Sequence, residues 1–117
     1  MSRIHLVLAT AVIAALAFAA SASAAPIRLS AVVGPAFNIT VKKGALKVRR
    51  LKPGRYLIVV ADRSNIHNFH LRGPGINRKT GVAAKGTFRW RVTLKRGLYR
   101  YVCDPHAPVM KGSFRVG

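Results

Sequence analysis

Residues 88–103 read Phe-Arg-Trp-Arg-Val-Thr-Leu-Lys-Arg-Gly-Leu-Tyr-Arg-Tyr-Val-Cys, and the period of this stretch decides the fold. Phe88, Trp90, Val92 and Leu94 share one face of a strand, with Arg89, Arg91 and Thr93 on the other, because successive side chains of extended backbone point to opposite sides. Lys95-Arg96-Gly97 then supplies a turn. Beyond it the same period sets Tyr99, Tyr101 and Cys103 on one face and Arg100 and Val102 on the other. The apolar face is predicted to be core, so Cys103 ends a strand pointing inward.

Outward from this pair the pattern persists. Phe37, Ile39 and Val41 alternate with Asn38 and Thr40, Lys42-Lys43-Gly44 and Lys52-Pro53-Gly54 read as turns, and Tyr56 to Ala61 is a continuously apolar, β-branched run suited to a central strand buried on both faces. Ser113 to Val116 closes the chain. Leu71 to Gly86 is the least periodic part and is expected to be a long surface crossing. No helical period of useful length and no internal repeat follows the first residues. The expectation is an all-β, two-sheet Greek-key sandwich of about seven short strands.

The amino-terminal part reads differently. Arg3 and His5 accompany an apolar run from Ile4 to Ala20 and the small residues Ala22-Ser23-Ala24, the layout of a secretory signal. Residues 1–24 are therefore expected to be cleaved after Ala24, leaving one domain over 25–117 in an exported protein, periplasmic, extracellular or at the cell surface. A retained anchor is the alternative, since the run approaches the roughly 20 residues that span a bilayer. An exported chain that relied on disulfides would carry an even number of cysteines, and this one has only Cys103.

Charge is the other outlier: 21 Lys and Arg face two acids, Asp62 and Asp104, for a formal net charge of +19. Half the residues are hydrophobic, so a folded domain with a basic skin is expected in place of a disordered polycation. The cations are spread over several strands, which predicts a solvated face in an anionic environment. Affinity for an anionic surface or polymer is thus an expectation, nucleic acid is not an expected partner, and nothing argues against a monomer.

Chemistry concentrates in Cys103-Asp104-Pro105-His106-Ala107-Pro108-Val109-Met110, where a thiol, an imidazole and a thioether fall within one short loop after a strand. Singly, each has a bland explanation: a buried cysteine packs as a small hydrophobe, and a methionine is plain core. Together they are soft and borderline ligands, and a thiolate with two imidazoles in a trigonal plane plus a distant thioether suits copper in both its oxidation states. His67 supplies the second imidazole if Phe69 and Leu71 face the core, since it shares their side. His70 then falls on the opposite face with Asn68 and Arg72 and is expected to be a solvent-side histidine. Zinc is a rival for Cys and His but prefers tetrahedral sites without a thioether. Trp90, Phe88, Tyr99, Tyr101 and Phe114 read as sandwich core.

His67-Asn68, Cys103-x-x-His106-x-x-x-Met110, the Gly97-x-Tyr99-x-Tyr101 approach and the closing Met110-x-Gly112-x-Phe114 resemble the cupredoxins, the plastocyanin, pseudoazurin and azurin group, from about Phe37 to Val116. The resemblance implies a single type 1 copper, cycling between Cu(I) and Cu(II), on His67, Cys103, His106 and Met110. It also implies electron transfer without bond chemistry, and a redox partner docking on an apolar rim around His106, formed by Ala107 and Pro108 with Gly34 and Pro35 nearby. Basic residues around that rim favour an acidic partner.

Two positions depart from the pattern. Asp104 stands where relatives carry Ser or Thr, so the acceptor for Asn68 is a carboxylate. Pro105 has no N–H, which leaves the Asn68 amide as the expected main donor to the sulfur. A copper carrier or buffer using the same site, and a basic polyanion-binding module, are the alternative functions. A copper oxidase is disfavoured because His70 is the one spare histidine beyond the leader.

Overall fold

The alternation of residues 88–94 builds the long edge strand of one sheet in the computed structural model, which describes residues 2, 4, 7–15 and 24–117. This sheet contains β1 (Ile27–Val33), β2 (Ile39–Lys43), β3 (Leu46–Lys47), β5 (Gly54–Asp62) and β8 (Gly86–Leu94), in the order β3-β2-β1-β5-β8. The second sheet contains β4 (Arg50–Leu51), β6 (His70–Gly73), β7 (Ile76–Lys79), β9 (Gly97–Val102) and β10 (Lys111–Val116), ordered β4-β10-β9-β6-β7. The chain changes sheet between β3 and β4, β4 and β5, β5 and β6, β7 and β8, and β8 and β9, the crossovers of a Greek-key sandwich. β1 runs parallel to β5 over the full length of β1, pairing Ile27 with Tyr56 and Val33 with Asp62.

Among the described residues ten strands replace the expected seven or so. Two of the additions, β3 and β4, are two residues long and too short to show a period. The others correct the reading of Leu71 to Gly86 as a crossing. Most of it folds as the β6–β7 hairpin, pairing His70 with Lys79 and Gly73 with Ile76, and only residues 80–85 pass between the sheets. Phe37 also departs from its expected strand position: β2 begins at Ile39, and Phe37 sits in the bend before it, 61% exposed.

The inner faces are those the period predicts. Leu29, Ala31, Val33, Tyr56, Ile58, Val60, Trp90 and Leu94 of the first sheet meet Leu71, Tyr99, Tyr101, Phe114 and Val116 of the second. On β5, Val59 is buried on the opposite face as well, while its neighbours Leu57 and Ala61 there are only half-buried. Tyr99 stacks on Phe114 at 5.3 Å and Phe69 on Tyr101 at 5.8 Å. Each buried phenol needs a polar partner, and the Tyr99 hydroxyl finds its own across the sheet corner: it donates to Pro74 O or Lys95 O and accepts from Lys95 N. Glycine makes these rings fit, because a Cβ at Gly73 would overlap the Tyr99 ring and one at Gly112 the Tyr101 ring.

Residues 7–15 and 24–26 have no regular secondary structure, and residues 16–23, which precede the expected cleavage after Ala24, lie outside the described residues. Among the described residues no helix is long and apolar enough to cross a membrane.

Candidate metal centre

Two strand ends deliver the site. β5 runs out at Asp62 into a turn held by Ser64 N donating to Asp62 Oδ1 at 3.1 Å, and the chain then places His67, Asn68 and Phe69 before β6. β9 runs out at Val102, and Cys103 caps a single 3₁₀ turn, Asp104–His106. Pro105 suits that turn, since its fixed φ matches the helical start and its missing N–H would have had no partner there. His106 N donates to Cys103 O at 3.0 Å, so the turn folds the imidazole back over the sulfur.

The result is a triangle of donors. His67 Nδ1 and His106 Nδ1 are 3.1 Å apart, and Cys103 Sγ is 3.7 Å from the first and 3.5 Å from the second. A triangle with those sides has its centre about 2.0 Å from every corner, which is the length of a metal–imidazole bond. His67 and Cys103 are completely buried, His106 is half-buried, and the thiol is free. With both Nδ1 atoms and the sulfur unprotonated, all three lone pairs would converge on that centre, where a cation could take them. The donor set is that of a soft or borderline metal, and the trigonal His-His-Cys arrangement points to copper.

Met110 belongs to the same end of the core. Its side chain is fully buried with Cys103 in one apolar cluster. Its backbone closes the loop: Met110 N donates to His106 O at 2.9 Å, and Cys103 N donates to Met110 O at 3.0 Å.

Asn68 and Asp104 lock the two donor loops together. Asn68 Nδ2 donates to Asp104 Oδ2 at 2.8 Å, and Asp104 N donates to Asn68 Oδ1 at 2.8 Å. Asn68 Nδ2 also donates to Thr80 O at 3.3 Å. Both side-chain amide hydrogens of Asn68 are thereby engaged by oxygen acceptors. Burial works to raise the Asp104 carboxyl, but hydrogen bonds from Asn68 and His70 and the charges of His70 and Lys79 outweigh it and hold it below the usual carboxylate range.

His70 corrects an expectation. It does lie on the face opposite Leu71, yet it is only 3% exposed. Its Nδ1 faces both oxygens of Asp104 at 2.9 and 3.0 Å, and its Nε2 lies 2.7 Å from Asn77 Oδ1 and 3.1 Å from Arg72 Nε. Polar side chains from the hairpin and the donor loop cover it, and alternation along one strand cannot register such a cover.

Phe37 is the site residue that sequence reasoning missed. Its ring meets His106 edge-on at 4.9 Å and His67 at 5.3 Å, shielding both imidazoles from the solvent side. Val109 and Ile66, which belong to the two donor loops, are exposed apolar side chains as well. The signal available was an aromatic following Gly34-Pro35-Ala36, where a turn is more natural than a strand. Gly34 itself, with φ of 69°, backs directly onto the His67 ring.

No protein-family model matches the sequence, and no curated protein matches it. Solved structures do match the fold. Reduced rusticyanin aligns with a TM-score of 0.57 at 20% identity, over 82% of this chain and 82% of that one. A second rusticyanin structure, described as that of a copper protein, aligns with a TM-score of 0.57 at 18% identity, over 81% of this chain and 80% of that chain. A chain of a heme-copper terminal oxidase dimer aligns with a TM-score of 0.55 at 20% identity, over 77% of this chain and 63% of its own length. The chain therefore has the cupredoxin fold, with His67, Cys103 and His106 gathered beyond the ends of β5 and β9.

Proposed function

We propose that the protein is a single-electron carrier in which His67, Cys103 and His106, with the thioether of Met110, would hold one copper ion. The observation that carries this reading is the donor triangle, whose centre lies at bonding distance from two imidazoles and a buried thiolate at once. Copper alternating between Cu(II) and Cu(I) supplies the redox chemistry when bound. The chain does the rest. A core of packed aromatics fixes the donor positions, so few atoms move when the charge changes. The Asn68–Asp104 pair keeps the two loops in register, and Phe37 keeps water from the imidazoles. The apolar rim beside His106 is the proposed contact for a redox partner, and the surrounding cations favour an acidic one. Residues 1–24 are proposed to direct export and to be removed after Ala24.

The test is direct. Cu(II) added to the purified protein should give a thiolate-to-copper absorption band in the visible and narrow hyperfine splitting in electron paramagnetic resonance, both lost in Cys103→Ser. Rapid, reversible reduction without loss of the ion distinguishes a carrier of electrons from a carrier of copper. A colourless protein that takes zinc in preference would overturn the proposal.

A further inference from the structure

In a chain with 21 cations and two acids, both acids lie against the donor loops. Asp104 has its partners in Asn68 and His70. Asp62 does not. It is the last residue of β5, 2% exposed, and only its Oδ1 is engaged, by Ser64 N. Its Oδ2 is buried without a partner, and among the described residues the one ion pair is that of His70 with Asp104. An unpaired buried carboxylate costs several kcal/mol, so its retention calls for a partner.

The second orphan is the far nitrogen of His67. With Nδ1 turned towards Cys103 and His106, Nε2 is left buried and unbonded. For Nδ1 to offer its lone pair to a metal, the ring proton must sit on Nε2, and a buried N–H needs an acceptor. The Nε2 edge of that ring and the Asp62 turn meet at Gly34: a Cβ there would stand 3.0 Å from His67 Cδ2, the carbon bonded to Nε2, and 3.1 Å from Cβ of Ser64, whose N–H holds Asp62 Oδ1. Asp62 Oδ2 is thus a buried acceptor without a donor, and His67 Nε2–H a buried donor without an acceptor.

We propose that Asp62 is a positioning residue for His67, its Oδ2 accepting a hydrogen bond from Nε2–H and so holding Nδ1 bare towards Cys103 and His106. In the structure the two atoms stand unbonded, and rotation of the carboxylate would close the bond. This proposal rests on the copper reading for its consequence but not for its existence, because the tautomer is a property of the metal-free protein too. A carboxylate behind the imidazole makes it a stronger donor and favours Cu(II) over Cu(I).

The experiment compares wild type with Asp62→Asn, which keeps an oxygen for Ser64 N and replaces Oδ2 by a donor. In metal-free wild type at a pH where the imidazole is neutral, ¹⁵N-resolved NMR should show a His67 Nε2–H resonance, downfield and slow to exchange with water, that Asp62→Asn loses. Copper-loaded Asp62→Asn should bind Cu(II) about tenfold more weakly relative to Cu(I), a rise in reduction potential of about 59 mV for one electron. A merely structural Asp62 would lower thermal stability and leave the potential where it was. Absence of the protected resonance in wild type, or its persistence in the variant with an unchanged potential, overturns the proposal. If the protein takes up no copper, the function above fails while the wild-type resonance still decides this question, as it also does should Asp62→Asn not fold.

Discussion

Asn68 and Asp104, 36 residues apart, bind each other twice: the amide donates to the carboxylate and accepts from the backbone N–H of the same aspartate, both at 2.8 Å. One of these bonds goes to an ionised group, which makes it worth more than a neutral one. Because Asn68 follows His67 and Asp104 follows Cys103, the pair fixes the distance between the two donors.

Removing the amide should therefore be felt in stability first. Asn68→Ala leaves Asp104 N without its partner and takes from Asp104 Oδ2 one of its two, His70 remaining, a loss of about 2 kcal/mol. For a domain of this size that lowers the melting temperature by roughly 10 °C. Thermal unfolding of the metal-free protein measures it, and a double-mutant cycle with Asp104→Ala should show coupling of about 1 kcal/mol or more, as expected for groups in direct contact.

The two acids give opposite pH dependences. Asp104 has a folded-state value below the ordinary 3.8, so its stabilisation is complete above 3.8 and is lost as the pH falls through its lower folded value. Asp62 is raised, so in the metal-free protein its ionisation costs stability as the pH climbs from 3.8 through its higher folded value. Denaturant midpoints followed against pH should separate them. The advantage of wild type over Asp104→Asn is expected to be constant at neutral pH and to vanish on the acid side of 3.8. The stability of wild type relative to Asp62→Asn is expected to rise as the solution is acidified towards that same value.

Much of this was written locally, and what was not depended on distant partners. The period of two from Phe88 to Cys103 fixes which side chains enter the core, because nothing but extended backbone satisfies it. That placement, with Phe69 and Leu71, turns His67 inward. The burial of His70 escapes the local pattern since it is produced by Asp104, 34 residues away, by Asn77 across the hairpin and by Arg72 on its own strand. That hairpin escaped notice because both its faces carry polar residues, which erases alternation. Phe37 fits the alternation of Ile39 and Val41 formally, but the turn at Gly34 takes it out of the sheet.

Phe37 should act through access more than through stability. Edge-on aromatic contacts contribute about 0.5–1.5 kcal/mol each when buried, and this ring is 61% exposed, so Phe37→Ala is expected to cost no more than about 1 kcal/mol. The copper-loaded variant should nevertheless release its ion to a competing chelator several-fold faster, as water reaches His106. Stopped-flow chelation measures the rate, and an unchanged rate would remove Phe37 from the site.

Gly34 tests whether the back of His67 must be bare. Its φ of 69° lies in the left-handed region, where a side chain costs about 1–2 kcal/mol. A Cβ there would also stand 3.0 Å from His67 Cδ2 and 3.1 Å from Ser64 Cβ, so the imidazole has to give way. Gly44 supplies the control: its φ of 60° imposes the same backbone cost, yet a Cβ would meet nothing within 4 Å. Both Gly34→Ala and Gly44→Ala should lower the melting temperature by several degrees. Only Gly34→Ala should alter the visible spectrum and hyperfine splitting of the copper-loaded protein, because only there does the added methyl group push a donor out of the triangle. Equal spectra for the two variants would mean that the turn at Gly34 carries the backbone and nothing more.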